Sequence, residues 1–208
     1  MLRLRAAFTV DYVNRCTVQK RPVTAIANDA GSTNRGRYHG FARAHHATEQ
    51  LVRASGLAFT FLRDSIYLDF VPRYVGEDGV IRGPARDGVM AAVAREDIAR
   101  SAVAVLRDPA VHAGFTYNLT GPEDISLARA AEVLTRATGR TITYHDETVE
   151  EAYSSRAPYG APAWQVTAWV STYTAIAAGE LAGPTPDVHG LTGQDPIGLE
   201  EFVKLPQL

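Results

Sequence analysis

His45 and His46 stand side by side, and neighbours on a helix project to different faces, so they cannot pair as i, i+4 metal ligands. His39, His112, His145 and His189 are scattered along the chain, and no metal site is expected. His45 opens a helical pattern, where the helix dipole favours a neutral imidazole able to hydrogen-bond a ligand; the alternative is a histidine that caps and packs. Glu49 and Arg53, one helical turn apart, are expected to form a surface ion pair of little weight. A Tyr-x-x-x-Lys dyad is excluded, because Lys20 and Lys204 are the only lysines and are preceded at that spacing by Cys16 and Glu200. Any reduction by this chain would then be direct hydride delivery to an acceptor that needs little proton catalysis, such as a quinone. A pyrophosphate loop needs closely spaced glycines between a strand and a helix, and the nearest candidate, Ala30-Gly31-Ser32-Thr33-Asn34-Arg35-Gly36, has the wrong spacing. Ser154 and Ser155 lie in no Gly-x-Ser-x-Gly turn and have no base nearby in sequence. Tyr153, Tyr159, Trp164, Trp169 and Tyr173 either line a pocket for a flat apolar substrate or fill a small core.

The elements that must position these residues follow from pattern. Residues 23–27 (VTAIA) read as a buried strand closed by Asn28, Asp29, Ala30 and Gly31, and a polar loop follows. Residues 42–54 are helical and end at Ser55-Gly56; residues 57–62 (LAFTFL) are a buried strand. Residues 64–75 are amphipathic. Residues 80–82 and 90–94 flank GPARDG at 83–88, whose chemistry suits a hairpin turn. A helix starts at Glu96 or Asp97, turns Ile98, Ala102, Val105 and Leu106 inward, and stops before Pro109. Residues 115–119 form a strand, Ser126 caps a helix over 127–138 that Gly139 ends, and 141–144 is a further strand. Beyond Thr148 the chain is helical, over 150–156 and 163–181, with two short helices within 187–203.

Strands alternating with helices predict an α/β fold with a parallel sheet. The C-terminal helices are expected to form a small lobe over the carboxyl edge of that sheet, where open α/β folds bind ligands. Residues 1–148 are thus the sheet portion and 149–208 the helical lobe, packed together as one domain. With 208 residues, 46% of them hydrophobic, the chain can bury one real core. A net charge of −2 offers no basic surface for nucleic acid. The single cysteine, Cys16, excludes an internal disulfide and a cysteine-based metal site. No signal peptide and no run of roughly 20 apolar residues is present, so a cytoplasmic protein without a membrane partner is expected.

These residues and their order resemble the NmrA-like branch of the atypical short-chain dehydrogenase family, closest to its type-2 NAD(P)H:quinone oxidoreductases. The resemblance rests on His45-x-x-Thr48-Glu49, Ala54-Ser55-Gly56-Leu57, Thr60-Phe61-Leu62-Arg63, Tyr67, the GPARDG segment, Asp97-Ile98-Ala99 and Leu119-Thr120-Gly121-Pro122. It implies a partial Rossmann-like sheet, the second half of a doubly wound fold. Strands one to four and the glycine-rich loop would lie outside it. It also implies NADP(H) or NAD(H) as cofactor and a small, quinone-like substrate. His45 and Tyr67 would orient that substrate, with Asn28, Asp29, Glu49, Arg63 and Asp64 beside the cofactor. Where relatives carry small hydroxyl residues near the nicotinamide, this chain has Asn28 and Asp29. The expected chain is therefore impaired as an enzyme and able to form homo-oligomers through an exposed sheet edge. The family also implies an alternative, a dinucleotide-sensing regulator that binds a protein partner without turnover.

Overall fold

The computed structural model describes the backbone of residues 23–28 and 40–205, with side chains from residue 45 onward. The candidate loop at Ala30–Gly36, Asp29 and Cys16 lie outside the described residues.

Three parallel strands, β1 (Val23–Asn28), β2 (Phe59–Asp64) and β5 (Thr116–Leu119), form a sheet in the order β1-β2-β5. β2 is central. Side chains alternate across a strand, so its consecutive apolar residues reach both faces. Phe61 packs with Val52 of α1 (Gly40–Ala54), and Leu62 packs with Ile98, Ala102 and Val105 of α2 (Arg95–Arg107). An uninterrupted apolar run thereby becomes a strand covered by a helix on each side.

The second core gathers around β3 (Val80–Gly83), β4 (Val89–Met90), β6 (Ile125–Ser126), α3 (Leu127–Thr138), β7 (Thr143–Asp146) and α5 (Ala163–Ala177). α3 has the boundaries its sequence predicts: the Ser126 side chain accepts the Arg129 N–H at 3.1 Å, and Gly139 closes the helix at φ 69°. The hairpin expected across residues 83–88 does not form. β3 pairs in parallel with β7, and β4 pairs antiparallel with β6. Tertiary contacts explain this. The intervening loop is held to β7 by the Arg86 N–H on Asp146 Oδ1 (2.8 Å) and the Ala85 N–H on the Tyr144 hydroxyl (3.1 Å). Its glycines let α5 approach: a Cβ at Gly83 would stand 2.2 Å from the Tyr173 ring, and one at Gly88 would stand 2.1 Å from the Ile176 carbonyl oxygen.

The C-terminal helices are fastened to the sheet segments by a buried ion pair. Arg156, at the end of α4 (Val149–Arg156), reaches Glu147 Oε2 at 2.8 Å, the Arg82 carbonyl at 2.9 Å and the Ala152 carbonyl at 3.0 Å, with its guanidinium 5.0 Å from the Tyr173 ring centre. Tyr173 is therefore core. Tyr153, Tyr159 and Trp164 are exposed. Residues 183–187 cross the carboxyl end of β5. There Asp187, the first residue of α6 (Asp187–Thr192), accepts the Asn118 N–H at 2.6 Å, and Thr185 bonds to both Thr120 and the Asn118 carbonyl. That edge of the sheet is thus capped by side chains. The final helix α7 (Leu199–Phe202) follows a turn at which Asp97 Oδ2 accepts the Ile197 N–H at 2.8 Å.

Candidate functional site

The carboxyl end of β2 brings together most of the residues singled out from sequence. Asp64 ends the strand and lies in register between Asn28 of β1 and Leu119 of β5. Beyond it the chain is fixed rather than loose. The Ser65 N–H bonds to the Leu119 carbonyl at 2.9 Å, the Leu68 N–H to Val93 at 2.9 Å, and the Val93 N–H to Ile66 at 2.9 Å. A 3-10 turn, Leu68–Tyr74, follows where the sequence is amphipathic. Tyr67 is thus carried on a rigid mount. Its ring stacks on Phe70 at 5.5 Å, and its hydroxyl donates to Asp64 Oδ2 at 2.6 Å.

Asp64 is fully buried, and its other oxygen, Oδ1, has no hydrogen-bond partner among the described residues. An unsatisfied buried acceptor of this kind costs on the order of 1–3 kcal/mol, more when charged. Burial pushes the Asp64 carboxyl above the ordinary aspartate range, against the Tyr67 hydrogen bond and the nearby His45 imidazole, both of which pull it down.

Glu49 corrects one expectation. It is 2% exposed and is gripped by Arg63 through two parallel bonds, Nε to Oε1 and Nη2 to Oε2, each 2.8 Å. The expected partner, Arg53, is a looser 3.7 Å away and lies over the rings of Phe59 and Phe61 at 5.0 and 4.9 Å. The pair that matters joins α1 to β2, and it is buried. His45 is also reassigned: α1 begins at Gly40, so the imidazole sits in the second turn, outside the strong field of the helix terminus, half-buried and close enough to Asp64 to act on its charge. Asn28 ends β1 beside Asp64 in register, and Asp29 follows outside the described residues.

Sequence reasoning did not single out Glu147 and Arg156, which lie nine residues apart and meet only in three dimensions. Two motif glycines also have a plain structural reason. Gly83 has been described, and a Cβ at Gly121 would stand 2.1 Å from the Ala92 carbonyl oxygen. Among the described residues, no group of three or more His, Cys, Asp and Glu side chains is arranged to hold a metal ion. No described helix is long and apolar enough to cross a membrane.

A parallel sheet covered by helices, with a polar cluster at its carboxyl edge, defines the class of Rossmann-like NAD(P)-binding folds, and the solved structures agree. The NADPH-dependent quinone oxidoreductase of Escherichia coli complexed with NADPH superposes with a TM-score of 0.86 at 25% identity, over 96% of this chain and 70% of that one. No family model matches the chain. Among curated proteins, the NAD(P)H azoreductase of Xenophilus azovorans is 30% identical over 159 residues, which are 75% of this chain and 55% of the azoreductase. An NmrA-like family domain-containing oxidoreductase of Aspergillus flavus is 28% identical over 172 residues, 78% of this chain and 54% of that protein. The chain spans about half the length of these curated relatives. It is similar to members of the NmrA-like branch of the atypical short-chain dehydrogenase family, NAD(P)H-dependent reductases among them.

Proposed function

We propose that this chain supplies the substrate and nicotinamide side of an NAD(P)H-dependent reductase acting on a small, flat electrophile of the quinone type. One observation carries the reading: the Asp64–Tyr67 pair, backed by the buried Glu49–Arg63 pair, stands at the carboxyl end of the central strand, where open α/β sheets bind ligands. The orphaned Asp64 Oδ1 fits a ligand-binding edge, because a buried acceptor without a partner among the described residues leaves the hydrogen bonding at the strand end incomplete. When bound, the dinucleotide supplies the hydride.

The chain's own residues do the rest. Asp64 forms the floor of the edge, and the Glu49–Arg63 pair fixes α1 against β2, so that His45 and Tyr67 hold their places above it. Tyr67, half-buried and bonded to Asp64, orients the acceptor's oxygen. The residues named here would hold the nicotinamide end of a dinucleotide, so NADPH is tested up to about millimolar concentration.

The test is NADPH oxidation by the purified chain with a soluble benzoquinone, at NADPH concentrations up to that range. Slow, quinone-dependent oxidation that Tyr67→Phe diminishes supports the reading. NADPH binding with no turnover for any quinone contradicts it and favours a dinucleotide sensor.

A further inference from the structure

We propose that Asp64 and Tyr67 form a two-residue proton relay, in which the Tyr67 hydroxyl protonates the acceptor's oxygen and the Asp64 carboxyl behind it restores the phenol. The proposal rests on the reductase reading above and goes beyond orientation, since it gives the site a proton source without a Tyr-x-x-x-Lys dyad.

Three observations carry it. The first is the layering of the pair. Asp64 is fully buried and cannot meet a bulky acceptor itself, whereas Tyr67 is half-buried and stands in front of it at 2.6 Å. The second is the orphaned oxygen. A carboxylate with one buried oxygen unpaired is costly, because the charge is spread over both oxygens; a neutral acid concentrates its donor on one oxygen and leaves the other a weak carbonyl acceptor. With the proton on Oδ2, the 2.6 Å bond that the Tyr67 hydroxyl donates in the structure reverses: Asp64 donates to the phenol oxygen, and the phenol's own O–H turns to another acceptor.

The third is the local charge. On α1, His45 faces Asp64, and Glu49 is neutralised by Arg63 of β2. β5 and its continuation bring the uncharged Leu119 and Thr120. Among the described side chains, the Tyr67 hydrogen bond and the His45 charge favour the carboxylate, and burial outweighs both.

The step balances. The acceptor takes a hydride from the reduced nicotinamide, which becomes the oxidised form, and its oxygen takes the Tyr67 proton. As the Tyr67 O–H bond breaks, the Asp64 Oδ2–H bond breaks in turn, and its proton moves to the phenol oxygen. Asp64 is left as the carboxylate and is reprotonated from solvent between turnovers. The substrate class is therefore an acceptor with a carbonyl oxygen conjugated to the hydride-accepting atom.

The experiment pairs infrared titration of the full chain without dinucleotide with pH-dependent turnover, for the natural sequence and for Asp64→Asn. A carboxylic-acid band that is absent in Asp64→Asn, and that titrates above the exposed aspartates, is expected. In turnover with NADPH and benzoquinone, kcat should fall as pH rises through that same transition. Asp64→Asn should lower kcat about tenfold to a hundredfold and remove that limb, since its amide can hold Tyr67 but cannot release a proton. An Asp64 band that titrates with the exposed carboxylates overturns the relay, whatever the turnover shows. Turnover by Asp64→Asn with unchanged kcat and pH profile overturns the relay alone, and no turnover by the natural chain overturns it together with the reductase reading.

Discussion

Glu147 and Asp64 are both buried carboxylates, and their surroundings are opposite. Glu147 lies against Arg156, whose guanidinium also satisfies two backbone carbonyls and covers the Tyr173 ring. Asp64 has one phenol on one oxygen and nothing on the other among the described residues. The first arrangement closes on itself and joins α4 to β3. The second leaves a polar atom waiting at the edge of the sheet, where chemistry in this fold takes place. Complete satisfaction marks a clasp, and incomplete satisfaction at a strand end marks a site.

The comparison can be broken at its structural side first. Arg156→Ala strands Glu147 as an uncompensated buried charge, and about 3–5 kcal/mol of stability should be lost in urea unfolding. A loss under about 1 kcal/mol would mean the pair is no clasp. Next comes the chemical side. Tyr67→Phe should lower kcat for quinone reduction about a hundredfold, equivalent to about 2.7 kcal/mol, while costing only about 1 kcal/mol in unfolding. A mutant that unfolds more than it slows would move Tyr67 to the structural column.

Gly88→Ala sharpens the contrast where the 83–88 segment meets α5. Its Cβ would meet the Ile176 carbonyl, so about 1–3 kcal/mol of stability should go, while the infrared signature of Asp64 stays as it is. The smallest effect is in pH. Because the Asp64 pKa is raised by folding, its contribution to stability is fully present below the unfolded value and is lost as pH rises through the folded one. The natural chain should therefore lose about 1 kcal/mol relative to Asp64→Asn between acid and neutral pH, seen as converging and then crossing Tm values. Parallel Tm curves would show that Asp64 titrates normally.

Much of this frame is legible in the sequence, because its signals are local. Ser126 and Gly139 bracket α3, and the apolar run ending at Leu62 marks the central strand. Contacts between distant segments are not legible. Glu49 has an arginine one turn away and another fourteen residues away, and only packing of α1 on β2 decides for Arg63. The segment 83–88 has the composition of a hairpin turn, yet its glycines are there for α5, and its flanking strands pair elsewhere. His45 heads an apolar pattern without heading the helix, because α1 begins five residues earlier, at Gly40. In the sequence, resemblance alone points to Asp64 and Tyr67; the unpaired oxygen that gives them a reason is a property of burial.

The most direct test of the central claim, that the carboxyl edge of β2 is the ligand site, is an amide chemical-shift titration of the full chain with NADPH and with reduced nicotinamide mononucleotide. Shifts concentrated at Arg63, Asp64, Ser65 and Tyr67, and on α1 around His45 and Glu49, are the result this account predicts for both ligands. Saturating shifts confined to other parts of the molecule, or none at millimolar ligand, would contradict it.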